Sequence, residues 1–511
     1  MASPSEKLAE SLSALKTLQD NGVVAIRSNA LSRTHRERLV NGGFLKPVMK
    51  GWYVPSGPDE QAGESTAWYA SFWDFCAAYL EERFGPQWCM SPYQSFFLHS
   101  GNFTVPPQLL VRTPSAGNKP NNLLHNTSLM DVKGELPKRP FRAQIDGLRV
   151  YSLPAALVAM APGMFRENTA EVRTALAMIP DASDVLSLLL EGGHTTIAGR
   201  LAGAFRNIGR ARIADEILGA IKSVGYAVRE SDPFDQRSPF DIAERQRSPY
   251  VTRMRLMWQT MRQCIVGNFP EPPKAQVDVD TYMHDVEEGY ITDAYHSLSI
   301  EGYRVSAELI ERVRQQAWDP DGDDDDREHL DAMAARGYYD AFQAVKTSVK
   351  KVLGGENPGH VADDDHAEWY RKLFAPSVTA GIVRPADLAG YRNGTVFIRN
   401  SKHVPPSAEA VRDMMPCLFE LLREEQDATV RVVLGHFVFV YIHPYIDGNG
   451  RMGRFLMNVM LAGGGNPWTV IPVDSRRDYM VGLVAGGVCG SSRGGSAVVD
   501  AVVCGRVGGG R

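Results

Sequence analysis

Leucines at positions 8, 12, 15 and 18 recur at helical spacing over residues 6 to 21, and Gly22 follows as a stop, so the chain opens with an amphipathic helix. A short segment at 24 to 30, a polar helix over 32 to 41, the Gly42-Gly43 turn and a hairpin from Phe44 to Val54 follow. Three short helices and a hairpin make a winged helix, which we place at residues 1–58. From 59 to 235 the pattern is first aromatic (Trp68, Tyr69, Phe72, Trp73, Phe75) and then helical, and those rings read as core. Asp232-Pro, Ser238-Pro and Ser248-Pro break the helical pattern, putting a boundary between 230 and 248. Farther on, Val432 to Ile442 is a continuous apolar run whose β-branched residues suit a strand, and we read it as a buried core element. Phe455, Leu456, Val459 and Met460 return to helical spacing.

Composition changes this picture little. With 511 residues, two or three folding units are expected; 44% hydrophobic and 23% charged residues describe an ordinary globular chain, and a net charge of -5 makes no global demand for nucleic acid. Locally the balance differs. Between residues 25 and 50 lie six basic side chains (Arg27, Arg33, Arg36, Arg38, Lys46, Lys50) and one acid, Glu37, a face suited to DNA phosphates or to a protein partner. Six scattered cysteines without a C-x-x-C pair argue against a disulfide framework or a zinc ribbon and fit a reducing cytoplasm. No leader pattern and no apolar stretch of about 18 residues stands out, so no membrane partner is expected. The acidic runs at 319–326 and 363–366 lack calcium-loop order and read as solvated loops. Ten of residues 481 to 511 are Gly, and the segment 486–511 reads as a shifted frame or degraded end, unable to build a stable helix.

Chemistry concentrates in His443-Pro-Tyr-Ile-Asp-Gly-Asn-Gly-Arg-Met-Gly-Arg454. Histidine takes a proton near neutral pH, as a base acting on a hydroxyl must. Asp447 offers a hard oxygen suited to Mg²⁺ on nucleotide phosphates. Gly448, Asn449 and Gly450 can turn successive N–H groups into an anion nest at a helix N-terminus, where partial positive charge favours phosphate. Arg451 and Arg454, three apart, share a face and can clamp phosphate oxygens.

This string resembles the Fic family signature H-P-F-x-[DE]-G-N-G-R-x-x-R, with Tyr445 standing for Phe. The resemblance implies an all-α core over 236–485, with His443 deprotonating a target hydroxyl and Asp447 holding Mg²⁺. It also implies that the nest and Arg451 hold the α- and β-phosphates of ATP and that Arg454 holds the γ-phosphate. Gly390-Tyr-Arg-Asn-Gly-Thr-Val-Phe-Ile, with His403-Val-Pro-Pro, is similar to the family's flap, a short hairpin over the active site. Its edge Thr395, Val396, Phe397 and Ile398 could hold a target segment by β-augmentation. Ser297-Leu-Ser-Ile-Glu-Gly302 matches the family's inhibitory motif; Ser297 and Glu301 share one helix face, and Glu301 aimed at Arg454 would occupy the γ-phosphate position. The expected reaction is AMP transfer to a Ser, Thr or Tyr of an unidentified protein, including the chain itself, because Gly450 leaves room that phosphorylating relatives fill with lysine. The alternatives are AMP removal and a DNA-binding, antitoxin-type regulator with a restrained core. The latter draws on a similarity of Gly43-Phe-Leu45 and Gly51-Trp-Tyr53 to the wing of AbiEi-like regulators. The expected architecture is therefore mainly α: a winged helix, a mixed middle region and an all-α core.

Overall fold

The computed structural model describes residues 3–58, 60, 64–242, 246, 248–266, 278–315 and 330–476. The acidic run at 319–326, residues 477–485 at the end of the expected core and the Gly-rich segment 486–511 lie outside the described residues. The chain is mainly helical and divides into two units, Met1–Arg253 with Phe397–Val404, and Met254–Val396 with Pro405–Arg511.

In the first unit, helix α1 (Pro4–Asp20) starts from a capping box in which Ser3 and Glu6 satisfy each other's backbone donors, with Pro4 at the first helical position. Strand β1 (Ile26–Arg27), helix α2 (Arg33–Asn41) and strands β2 (Leu45–Met49) and β3 (Trp52–Pro55) complete a lobe whose sheet order is β1-β3-β2. The short segment at 24 to 30, counted among three short helices, instead contributes only the two-residue strand Ile26–Arg27. Ile26, fully buried among Leu15, Leu31, Leu39 and Leu45, pairs with Tyr53, so sheet pairing overrides local preference. Helix α3 (Thr66–Phe84) carries the aromatic cluster; Trp68, Phe72 and Phe75 are fully buried, and Trp68 meets Phe72 and Phe75 edge to face.

Strand β4 (Cys89–Met90), helix α4 (Pro92–His99), and strands β5 (Gln108–Thr113), β6 (Pro120–Asn122) and β7 (Ser128–Lys133) follow, giving a four-stranded sheet of order β4-β5-β7-β6 with β5 and β7 parallel. Strands β8 (Arg142–Ile145) and β9 (Leu148–Tyr151) form a hairpin turning on Asp146-Gly147, both at positive φ, the backbone a two-residue turn needs. Helices α5 (Leu153–Val158), α6 (Met164–Glu167), α7 (Thr169–Met178), α8 (Ser183–Glu191), α9 (Thr195–Asn207) and α10 (Ala211–Ser223) enclose a second core. The segment Phe397–Val404 is tied into this unit: Asn400 Oδ1 accepts from Ser65 N at 3.0 Å, Arg399 pairs with Glu64 at 3.1 Å, and Lys402 O accepts from Val105 N at 3.0 Å.

The break between the units falls inside helix α11 (Pro249–Ile265), past the proline-interrupted stretch. The second unit comprises the rest of α11 with α12 (Val279–Glu288), α13 (Tyr290–Glu301), α14 (Ala307–Arg314), α15 (Leu330–Leu353), α16 (Pro358–Thr379), α17 (Ala408–Glu424), α18 (Ala428–Ile442) and α19 (Asn449–Gly463). Asp363, Asp364 and Asp365, expected in a loop, belong to α16, where Asp363 pairs with Arg423 and Asp365 with Lys351. Asp363 and Asp365 are taken up by these pairs, whereas Asp364 is exposed to solvent as expected. The β-branched run 432–442 is helical throughout. It is apolar on every face, and Val432 to Ile442 are all buried, as a helix surrounded by other helices requires.

Candidate active site

The site is built where α18 ends and α19 begins. His443 caps α18 in a left-handed conformation, φ 53°, unusual for a residue with a side chain, and Pro444 prevents the helix from continuing. Its imidazole is half-buried, and its Nδ1 lies 3.2 Å from Val440 O, which makes Nδ1 the protonated nitrogen and leaves the lone pair on Nε2. Desolvation, aided by the Arg392 guanidinium and opposed by Glu301 and Asp447, pushes His443 down to about 4. The ring is therefore neutral at physiological pH.

The loop to α19 is closed by its own residues. Asn449 Oδ1 accepts from Tyr445 N and Asn449 Nδ2 donates to Tyr445 O, both at 2.9 Å and both buried. Tyr445, standing where the family signature has Phe, is 1% exposed and stacks on Tyr370 with centroids 3.7 Å apart. Gly448 takes φ 77°, and a Cβ there would meet Phe374 at 2.8 Å. The first intrahelical bond runs from Met452 N to Gly448 O, so the amides of Asn449, Gly450 and Arg451 lie ahead of the ladder at the positive end of the helix. Gly448 supplies the left-handed turn ahead of the helix, Gly450 lies in its first turn, and Asn449 spends its side chain on bracing the turn.

Asp447 keeps 65% of its side chain exposed; its Oδ1 accepts from Gly448 N at 2.6 Å and its Oδ2 from Arg451 at 3.3 Å. Among the described residues no cluster of three or more His, Cys, Asp or Glu could hold a metal. A lone exposed carboxylate nevertheless fits Mg²⁺, which takes one or two carboxylates and completes its shell with phosphate and water. Arg451, 2% exposed, lies between Tyr303 and Phe374, its guanidinium carbon 5.2 and 5.1 Å from the ring centroids. Its Nε is buried without a hydrogen-bond partner among the described residues, an open donor suited to an anion.

Arg454 closes the far side. Its Nε donates to Ser297 Oγ at 2.9 Å, and its Nη2 donates to Ser297 O at 3.0 Å and to Glu301 Oε1 at 2.7 Å. Glu301 is the last residue of α13, and Gly302, at φ 99°, caps it. A carboxylate at a helix C-terminus opposes the dipole. Burial would raise the Glu301 carboxyl, but Arg454 and Arg451 outweigh it and hold it below the ordinary range, so it is ionised. A Cβ at Gly450 would lie 2.3 Å from Glu301 Oε1, so the carboxylate lies against the anion loop. Helix α13 is fixed beneath by buried Asp293, which accepts from Tyr338 at 2.6 Å and is pushed up to about 6 by desolvation.

Other expectations fare differently. Residues 395–398 form no strand, so the expected hairpin is absent as a ladder; Thr395 is exposed, Val396, Phe397 and Ile398 are half-buried, and a turn closes from Ser401 N to Ile398 O. Pro405 and Pro406 lack the donors a return strand needs, and Lys402 O is already given to Val105. The cations proposed for DNA are largely committed within the first unit. Arg33 pairs with Glu37 at 2.7 Å, Arg36 donates to Ser28 O, Arg38 donates to Lys7 O at 3.2 Å and Lys46 pairs with Glu60 at 3.0 Å, while Lys50 is exposed at a turn. Sequence reasoning passed over Arg392, Tyr303 and Phe374. Only Tyr303, two residues beyond Glu301, had a positional cue.

Residues 364–461 match the family model described as the Fic/DOC family. Among curated relatives, "Protein adenylyltransferase Fic" of Nematostella vectensis is 28% identical over 198 residues, 38% of this chain and 42% of that protein. The Drosophila melanogaster protein of the same name is 28% identical over 201 residues, 38% of this chain and 36% of the relative. The chain thus spans about two fifths of the curated relatives it matches. Among solved structures, Fic-1 (aa134 - 508) from C. elegans aligns with a TM-score of 0.35 at 18% identity, covering 67% of this chain and 96% of that one. No described helix is long and apolar enough to cross a membrane. Over residues 364–461 the chain carries a domain of the Fic/DOC family.

Proposed function

We propose that the chain transfers AMP from ATP to a Ser, Thr or Tyr hydroxyl of a protein, and that Glu301 restrains this activity. The relatives' shared name, protein adenylyltransferase, supports the reaction class. The observation that carries the reading is the geometry around α19: a neutral base at one side, open amides and a buried Arg451 in the middle, and Arg454 bound by Glu301 at the other. In the reaction the target oxygen attacks the α-phosphorus, pyrophosphate leaves, and the hydroxyl proton passes to Nε2 of His443. The amides of Asn449, Gly450 and Arg451 face the charge that develops on the phosphate oxygens, and Arg454 holds the γ-phosphate. Asp447 would hold Mg²⁺, which when bound neutralises phosphate charge. Glu301, ionised and hydrogen-bonded to Arg454, occupies the site of the γ-phosphate and directs ATP into an unproductive pose.

The test is incubation of wild type, Glu301→Gly and Glu301→Gly/His443→Ala with Mg²⁺ and ATP labelled on its α-phosphate. Label on protein with Glu301→Gly, far above wild type and absent from the double variant, is the expected result. Label in none of the three would overturn the reading. AMP removal is the second reading, favoured by the ionised state of Glu301, which could orient a water; release of AMP from a pre-modified protein by wild type, lost with Glu301→Gly, would identify it. A regulator binding DNA through the N-terminal lobe would rest first on Lys50, since each of its other proposed contacts has a partner within the lobe, Arg33 in an exposed surface pair.

A further inference from the structure

His443 occupies a left-handed backbone conformation that a residue with a Cβ disfavours, so something must hold it there. It also follows the C-terminus of α18, where the last carbonyls lack helical partners. One residue meets both needs. Arg392 Nε donates to His443 O at 2.7 Å, its Nη2 lies 3.5 Å from Ile442 O, and its backbone N donates to Pro444 O at 2.9 Å. The same guanidinium donates to Gly394 O at 2.9 Å and to Pro406 O at 2.5 Å. Arg392 is 2% exposed, no acid pairs with it in these contacts, and Arg412 in turn donates to Arg392 O and Asn393 Oδ1. A guanidinium buried among carbonyl oxygens is a device for fixing backbone, because its planar fork can bridge several acceptors at once.

We propose that Arg392 is a positioning residue for His443: by holding the carbonyls of residues 442, 443 and 444 it fixes the left-handed turn from which the imidazole acts, and it fastens residues 390–396 to that turn. This rests on the reading of His443 as the base of hydroxyl transfer. A target segment lying along residues 394–396 would then be registered against the base by one side chain. Arg392 also bears on the imidazole electrostatically. The charged groups facing His443 are Arg392 from this segment, Glu301 from α13 and Asp447 from its own loop, and of these only Arg392 opposes protonation.

The experiment places Arg392→Met and Arg392→Lys in the Glu301→Gly chain and reads four quantities: kcat and KM for ATP in label transfer, the melting temperature, and the NMR titration of the His443 imidazole, assigned by its loss in His443→Ala. Arg392→Met should lower kcat at least about tenfold with KM for ATP within about twofold, and should move the His443 titration to higher pH. Arg392→Lys should restore the titration while kcat stays low, because an ammonium cannot bridge the carbonyls. An unchanged kcat, or a fall that tracks loss of folded protein with the titration unmoved, would overturn the proposal. If Glu301→Gly itself transfers no label, the proposed reaction fails; the imidazole titration in parent and variants still decides whether Arg392 governs His443. Should Arg392→Met not fold, Arg412→Gln, which removes the donors to Arg392 O and Asn393, must shift the imidazole resonance in the same direction for the proposal to stand.

Discussion

Freeing Arg454 should change affinity for one nucleotide more than for another. In a His443→Ala background, where no transfer consumes the ligand, Glu301→Gly removes the acceptor 2.7 Å from Arg454 Nη2, while the bonds from Arg454 to Ser297 remain. A hydrogen bond between charged groups contributes about 1.5–3 kcal/mol, and with Arg454 6% and Glu301 30% exposed we take about 2 kcal/mol after allowing for screening. Since about 1.4 kcal/mol is a factor of ten, Mg²⁺-ATP should bind about 30-fold more tightly once Arg454 meets a γ-phosphate instead of Glu301. ADP has no γ-phosphate and should gain less than about fivefold, mainly from relief of repulsion by the carboxylate. Titration calorimetry with both nucleotides measures the two ratios. Equal gains for ATP and ADP, or no gain for either, would refute the assignment of Arg454 and Glu301 to one phosphate position.

Other outcomes follow from the same geometry. Because the neutral imidazole is the working form and His443 lies near 4, the acid limb of transfer by Glu301→Gly should fall as pH drops through about 4 and stay flat from 6 to 8; a pH–rate profile with a limb near 6.5 would contradict it. Asn449→Ala removes both buried bonds to the Tyr445 backbone and should cost about 2–4 kcal/mol in denaturant unfolding of the second unit, with Mg²⁺-ATP affinity falling alongside. Glu171→Ala removes the carboxylate that pairs with Arg253, 3% exposed, and accepts from Asn102, and should destabilise the first unit by about 2 kcal/mol, read as a lower melting temperature. Mobility-shift titrations should show that Lys50→Ala weakens any DNA binding by the N-terminal lobe more than Arg33→Ala does, since Arg33 is already paired.

What was legible in the sequence is what is local. The base, the loop glycines, Asp447 and both arginines fall within twelve residues, so their order alone places them on one turn and the helix after it. Ser297 and Glu301 were legible because four residues apart means one face, and the fold brings that face to Arg454. Other features depend on partners distant in the chain. Arg392 lies 51 residues from His443, and nothing in Gly390-Tyr-Arg-Asn-Gly distinguishes a buried carbonyl clamp from a solvated arginine. Asp363 and Asp365 read as loop because their counter-charges, Arg423 and Lys351, lie on other helices. Within residues 24 to 30, the strand Ile26–Arg27 is defined only by its pairing with Trp52 and Tyr53.

The bracing of Tyr445 by Asn449 has a thermodynamic consequence. A loop whose shape is held by two buried hydrogen bonds and a stacked ring has little conformational entropy left to surrender when a ligand arrives. Association with nucleotide should then proceed without a slow ordering phase, its rate rising linearly with ligand concentration, and any hesitation in the encounter would come from the departure of Glu301 rather than from the cradle itself.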